Sequence, residues 1–197
     1  MGPRLRGDET YYFRAMHGFF RPMRSNKIRA ALWSRWAPFG LAIAVAVCLI
    51  DQAAKLWLYY GYDLGARGAV RILPFLDLVL TWNRGISYGL FQQESALGRW
   101  VLLAVSAMAI VLLWVWLNRS GSRLTALSLG LIIGGALGNA IDRLHWPGVM
   151  DFVLFHIHTR EISFNWYVFN LADAAIVAGV VGLLYESLLL GSAAKAP

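Results

Sequence analysis

Four long apolar runs, separated by polar connections, organise this chain. They cover about 38–58, 100–117, 124–141 and 168–190. Each has the length at which a helix crosses hydrocarbon, about 17–25 residues. As core helices of a soluble domain they would need polar sequence to cover them, and a 197-residue chain with four such runs has too little. The pattern therefore predicts an all-α integral membrane protein with four transmembrane helices. The two long connections differ from the runs. In 59–99, the stretch Ala69-Val70-Arg71-Ile72-Leu73-Pro74-Phe75-Leu76-Asp77-Leu78-Val79-Leu80-Thr81-Trp82 is rich in strand-forming residues and broken at Pro74. Asn83-Arg84-Gly85 then reads as a turn, because glycine tolerates positive φ. The second connection, 145–167, opens on a Pro147-Gly148 turn. A small β-sheet lying as a cradle on the membrane surface is expected. With four spans, both connections share one side of the membrane.

Composition agrees with this reading, at 58% hydrophobic residues and a mean hydropathy of +0.54. The net charge of +7 is unevenly placed and sets the orientation. Arg4, Arg6, Arg14, Arg21, Arg24, Lys27, Arg29 and Arg35 precede the first span. Arg119 and Arg123 lie between spans two and three, and Lys195 follows span four. The positive-inside rule places these in the cytoplasm and the two long connections outside it, so the sheet is extracytoplasmic. The expected organisation is a basic cytoplasmic N-terminal tail (1–37), a four-helix membrane domain (38–190) and a cytoplasmic C-terminal tail (191–197). Beside a membrane span, basic residues are explained by anionic lipid, and no nucleic acid is expected. Trp33, Trp36, Trp57, Trp100, Trp116, Trp146 and Trp166 fall near span ends, where amphipathic rings settle. Cys48 is the single cysteine, which rules out a disulfide framework. Val45-Ala46-Val47-Cys48 faintly resembles a lipoprotein-processing box. Val47 is large for such a site, however, and Asp51, Gln52 and Lys55 follow at once.

Three aspartates change the picture from membrane scaffold to candidate enzyme. Asp142 ends the third run, Asp151 lies in the connection after it, and Asp173 sits in the first turns of the fourth. Ionisable groups at a bilayer boundary are costly and mark functional sites. Asp142 is followed by Arg143, and its plain reading is a structural ion pair or a helix cap. Asp151 has apolar neighbours on both sides, so desolvation should raise its pKa. Asp173, near a helix start, should be favoured as the anion. Opposed environments of this kind separate an acid from a base. Asn139 and Asn170 near the same face either satisfy backbone and carboxylate groups or hold a substrate backbone. Gly134-Gly135-Ala136-Leu137-Gly138 reads as a close helix-packing face. Other chemistries compete. His156 and His158 with Glu161 have metal-compatible spacing. Lys55 with Ser87 or Ser163 would serve a serine–lysine hydrolase. A proton-linked carrier could use membrane aspartates as a relay, although carriers more naturally carry repeated halves.

Five segments taken in order resemble the lipoprotein signal peptidases (signal peptidase II), a bacterial family of aspartyl membrane peptidases. They are Asp51-Gln52-x-x-Lys55, Asn83-Arg84-Gly85-Ile86-Ser87-Tyr88-Gly89, Gly134-Gly135-x-x-Gly138-Asn139-x-x-Asp142-Arg143, Val149-Met150-Asp151-Phe152 and Phe169-Asn170-Leu171-Ala172-Asp173. The resemblance covers about 38–190. It implies that Asp151 and Asp173 are the catalytic pair and that Asp142 forms a supporting ion pair with Arg143. It also implies that Asp51, Lys55, Asn83, Gly85, Asn139, Arg143 and Asn170 line or brace the substrate groove. The implied reaction cuts on the N-terminal side of a diacylglyceryl-modified cysteine in prolipoproteins, without metal or cofactor. Globomycin-type peptides are the implied inhibitors. The implied setting is the bacterial cytoplasmic (inner) membrane among its lipids, and a monomer is expected.

Overall fold

A computed structural model of the chain describes residues 33–85, 96–159, 161 and 163–193. The chain splits into two units, Met1–Trp33 and Ser34–Pro197, and all helices and strands of the described residues belong to the second. Most of the basic tail expected at 1–37 lies outside the described residues, as do residues 194–197.

Four long helices are present: α1 (Ala37–Leu56), α2 (Ala96–Leu117), α3 (Arg123–His145) and α4 (Leu171–Ala193). All four are long and apolar enough to cross a membrane. Pro38 opens α1, where its fixed φ suits the first turn and its missing N–H costs nothing. At its far end α1 runs on into one π turn, Trp57–Gly61. Ser122 caps α3 by accepting the Thr125 N–H at 2.9 Å. Glu186 of α4 accepts from both the Ser122 and Thr125 hydroxyls, which ties that end of α4 to the start of α3.

The central helix is α3. Just over half of its apolar window (56%) is buried, against 6% for α2. Small residues make this possible. A Cβ on Gly134 would run into the Ala44 carbonyl of α1, and one on Gly135 into the Ala172 carbonyl of α4. The small-residue run thus brings two helices against opposite flanks of α3 at once. The stripe Ala37, Gly40, Ala44, Asp51 and Lys55 is the face α1 buries. Leu49, Met108, Leu112, Leu184 and Leu188 point outward and are more than half exposed, as apolar side chains facing lipid would be.

Both connections contribute to one antiparallel sheet. Its strands are β1 (Val70–Leu73), β2 (Leu76–Asn83), β3 (Val149–His158) and β4 (Ser163–Phe169), in spatial order β1-β2-β3-β4. The central pairing, β2 with β3, joins segments separated by two spans and sets Thr81 opposite Asp151 and Asn83 opposite Val149. The two loops therefore share one end of the bundle, as span parity requires. Met150 and Phe152 are buried with Leu58 and Leu64 beneath the sheet. Each such burial contributes about 1.5–3 kcal/mol. Tyr59 of the π turn packs on Trp146 at 4.9 Å between ring centroids, and Trp82 on Trp146 at 5.3 Å.

Two boundaries differ from the apolar pattern. The third helix runs on past Ile141 to His145, so Asp142 lies within it rather than at its exit. The fourth begins at Leu171 rather than 168, because Val168 and Phe169 pair with Leu154 and Val153 as the end of β4. An apolar stretch with no period of its own cannot mark where strand gives way to helix.

Candidate active site

Asp173 lies in the first turn of α4, and Asn170 stands just before that helix. The Asp173 N–H donates to Asn170 Oδ1 at 2.9 Å, and the Asn170 N–H to Asp173 Oδ2 at 3.4 Å. This reciprocal pair satisfies two amides at the helix start, in the manner of a capping box. Asp151 reaches the same point from β3. Its Oδ1 accepts from Asn170 Nδ2 at 2.7 Å, and its Oδ2 from Asn83 Nδ2 at 3.1 Å. Asn170 is fully buried, and its one side chain bonds to Asp151 and to the backbone of Asp173. Asn139 of α3 completes the frame by donating to Asp173 Oδ1 at 2.9 Å and accepting from Asn170 at 3.2 Å. Both asparagines thus satisfy carboxylates, one of the two roles open to them from the sequence.

A second layer lies beneath. Lys55 sits 2.7 Å from both Asp51 and Asp142, with all three side chains at most 4% exposed. Charges this deep persist only when paired and hydrogen-bonded. Each carboxylate also accepts a backbone N–H from an element that carries a reacting candidate. Asp51 holds the Ala172 amide at 3.0 Å, next to Asp173, and Asp142 holds the Met150 amide at 3.0 Å, next to Asp151. Gln52 adds bonds to Asp142 at 2.8 Å and to the Gly138 carbonyl at 3.1 Å. The triad locks α4 and β3 to α1 and α3.

Here the expected pairing of Asp142 with Arg143 is corrected. Consecutive helix residues point about 100° apart, so neighbours in sequence do not face each other. The partner of Asp142 is Lys55. Arg143 instead donates to the Asn139 carbonyl at 3.2 Å and the Gly85 carbonyl at 3.1 Å, anchoring the turn after β2. In that turn Gly85 N–H donates to Asn83 Oδ1 at 3.0 Å.

Burial, and next the nearby Asp173 charge, push the Asp151 carboxyl up to about 7, against the lowering effect of the Asn83 and Asn170 bonds and of the Lys55 charge. A carboxyl of this kind carries a proton near neutrality and can act as an acid. A cavity of about 250 Å³ opens beside the pair, with Asn83, Ser106, Asn139, Arg143 and Asp173 among its lining.

All ten candidate residues, Asp51, Lys55, Asn83, Gly85, Asn139, Asp142, Arg143, Asp151, Asn170 and Asp173, fall in one network, because Lys55 Nζ also donates to Asn139 Oδ1 at 3.4 Å and links the two layers. Ser106, which lines the cavity, is not among the residues expected from the sequence, although a lone hydroxyl in the otherwise apolar 101–113 is a visible signal. Gln52 likewise has no role expected from the sequence, although a polar residue between Asp51 and Lys55 on a span is visible. The competing sets are placed elsewhere. His156 is buried in the sheet with Nε2 at 3.2 Å from Asp77, and its ring lies 4.8 Å from that of His158. Lys55 is enclosed by its two carboxylates, while Ser163 is exposed at the start of β4, and Ser87 lies outside the described residues.

Comparison with known proteins bears on this arrangement. The family model described as Signal peptidase (SPase) II matches residues 43–189. The lipoprotein signal peptidase of Nitrobacter hamburgensis is 59% identical over 158 residues, covering 80% of this chain and 96% of that protein. That of Methylorubrum extorquens is 60% identical over 149 residues, covering 76% and 85%. A bacterial membrane enzyme solved by the in meso method at 2.3 Å shares the fold, with a TM-score of 0.66 at 23% identity over 83% of this chain and 94% of that one. The four spans, the surface sheet and these matches agree, and the chain belongs to the signal peptidase II family of membrane peptidases.

Proposed function

We propose that this protein is a lipoprotein signal peptidase. It hydrolyses the peptide bond N-terminal to the diacylglyceryl-modified cysteine of prolipoproteins, with Asp151 and Asp173 as an acid–base pair. The observation that carries the reading is that Asn170 bonds both carboxylates, Asp151 through its side-chain amide and Asp173 through its backbone N–H, with Asp173 lining a cavity and the Asp151 carboxyl raised to about 7. The likeness of the chain to the curated lipoprotein signal peptidases supports the substrate class.

The chemistry uses one shared proton. Asp173 takes a proton from a water molecule, and the resulting hydroxide attacks the scissile carbonyl carbon. Asp151 gives its proton to the carbonyl oxygen, and a gem-diol forms. The proton taken by Asp173 then passes to the amide nitrogen as the C–N bond breaks. The released α-amine belongs to the lipidated cysteine and the new carboxyl to the signal peptide. Asp151 recovers its proton as the gem-diol collapses. The pair shares one proton and titrates as a unit, and Asp151 is the proposed holder of that proton at the start. Asn83, Asn139 and Asn170 hold the carboxylates, Arg143 and Gly85 shape the groove, and Asp51, Lys55 and Asp142 brace the two elements beneath.

The sheet end of the bundle faces away from the cytoplasm, because Arg119 and Arg123 lie at the opposite end and mark the cytoplasmic face. The setting is the bacterial cytoplasmic (inner) membrane, with lipid and lipidated precursors as partners, globomycin-type peptides as inhibitors, and a monomer as the working unit. The residues 38–190 form the peptidase domain, flanked by cytoplasmic tails.

The test compares a diacylglyceryl-modified precursor with its unlipidated form in detergent micelles containing a chelator. Cleavage of the lipidated form alone, lost in Asp151→Asn and in Asp173→Asn, is the expected result. Activity surviving either substitution removes the dyad. No cleavage by folded wild-type protein removes the peptidase reading in favour of a carrier.

A further inference from the structure

The cavity beside the dyad is walled on one side by α2, which presents Val105, Ser106 and Ala109 to it, across from Asp173 and Ile176 of α4. From 101 to 113, α2 contains one polar side chain, Ser106. Nothing in helix packing demands a hydroxyl there, since α2 is the least buried of the four spans.

The hydrogen-bonding capacity of the cavity wall gives Ser106 a use. A peptide backbone lying in the cavity brings both carbonyl acceptors and N–H donors, and at membrane depth each must find a partner. Donors are supplied by Arg143, which, among the described residues, gives two of its five N–H groups to the Asn139 and Gly85 carbonyls. Neutral acceptors are scarcer among the described lining residues. Asn139 Oδ1 already accepts from Asn170 and Lys55, and Asn83 Oδ1 from the Gly85 amide. The Asp173 oxygens accept from Asn139 and Asn170 and belong to the reaction. Ser106 differs. Its hydroxyl donates to the Leu102 carbonyl one turn back at 2.9 Å, which fixes the rotamer and leaves the oxygen lone pairs without a donor among the described residues.

We propose that Ser106 is a substrate-binding residue whose Oγ accepts a backbone N–H of the peptide segment held in the cavity. With Arg143 as donor, it secures the chain on both sides of the dyad. The assignment rests on the peptidase reading given above. A bond of this kind forms in the bound substrate and persists through the reaction, so it acts on binding and leaves the chemical step alone. The Leu102 bond is local to one turn of α2, and its loss does not disturb the fold.

The experiment measures kcat and KM of wild type and Ser106→Ala on a lipidated precursor in micelles. A second series of precursors has one backbone amide at a time, near the scissile bond, replaced by an ester. Losing one neutral hydrogen bond should raise KM about fivefold to tenfold with kcat within about twofold. One ester position should produce the same rise in wild type and no further rise in Ser106→Ala, the non-additivity expected of two partners in one bond. Unchanged KM in Ser106→Ala, or additive effects at every ester position, overturns the assignment. A wild-type protein that cleaves no all-amide precursor overturns the peptidase reading and this assignment with it.

Discussion

Replacing Asp151 by asparagine should abolish turnover and, above neutral pH, stabilise the protein. The Asp151 carboxyl stands at about 7 in the folded chain, against an ordinary 3.8. The folded state therefore binds this proton more tightly than the unfolded state. Stability contributed at this site is then full below about pH 4 and falls as pH rises toward 7, the reverse of a salt-bridged aspartate. The gap is roughly three pH units at about 1.4 kcal/mol each, so the ionised carboxylate costs up to about 4 kcal/mol at pH 8. Asparagine removes the charge, as protonation does; its oxygen accepts from one of the Asn83 and Asn170 amides while its own NH2 meets the other donor, so most but not all of that cost is removed. The assay is an apparent Tm in detergent at fixed scan rate, taken at pH 5 and pH 8. About two of those units, or about 2.7 kcal/mol, are lost between pH 5 and pH 8, so wild type should lose roughly 5–10 °C from this site, while Asp151→Asn should lose far less and melt higher than wild type at pH 8. Equal melting of the two proteins at pH 8, with the same pH slope, refutes the reasoning, because Asp151 would then not be held as a strained acid.

Turnover should also report the Asp151 proton, with kcat falling about tenfold per pH unit above roughly pH 7 as the acid is lost; a rate flat from pH 6 to 9 would count against it. Lys55→Met leaves Asp51 and Asp142 buried without their cation and should cost about 3–5 kcal/mol, read as a lower Tm together with lost activity. Adding Asp51→Asn and Asp142→Asn to that variant should recover most of the Tm, and no recovery would mean the charges are not the cause. Gly135→Leu forces α4 away from α3 at Ala172, next to Asp173, and should lower Tm and remove activity together; full activity would show that this close approach does not place Asp173.

Much of this architecture was legible because membrane crossing is a local property. Twenty apolar residues declare a span without help from the rest of the chain, and the β-branched run after α1 declares a strand. The three aspartates also stood out locally, since each interrupts or borders apolar sequence. What escaped was non-local. Asp142 lies beside Arg143 in sequence, but its ion pair is with Lys55 on another helix. The Ala172 and Met150 amides held by Asp51 and Asp142 carry no side-chain signature at all. The start of α4 was hidden by apolar Val168 and Phe169, although Asn170 and Asp173, three apart, were the cap signal that would have corrected it.

The pairing of β2 with β3 has a consequence for biogenesis. Asp151 meets Asn83 only once two strands, made before and after the second and third spans, have found each other at one end of the bundle. A chain still threading into the bilayer holds Asp151 and the Asn83 amide that bonds it on unconnected pieces. The network around Asp151 and Asp173 is therefore complete only when the last helix, which carries Asp173, has joined the paired strands.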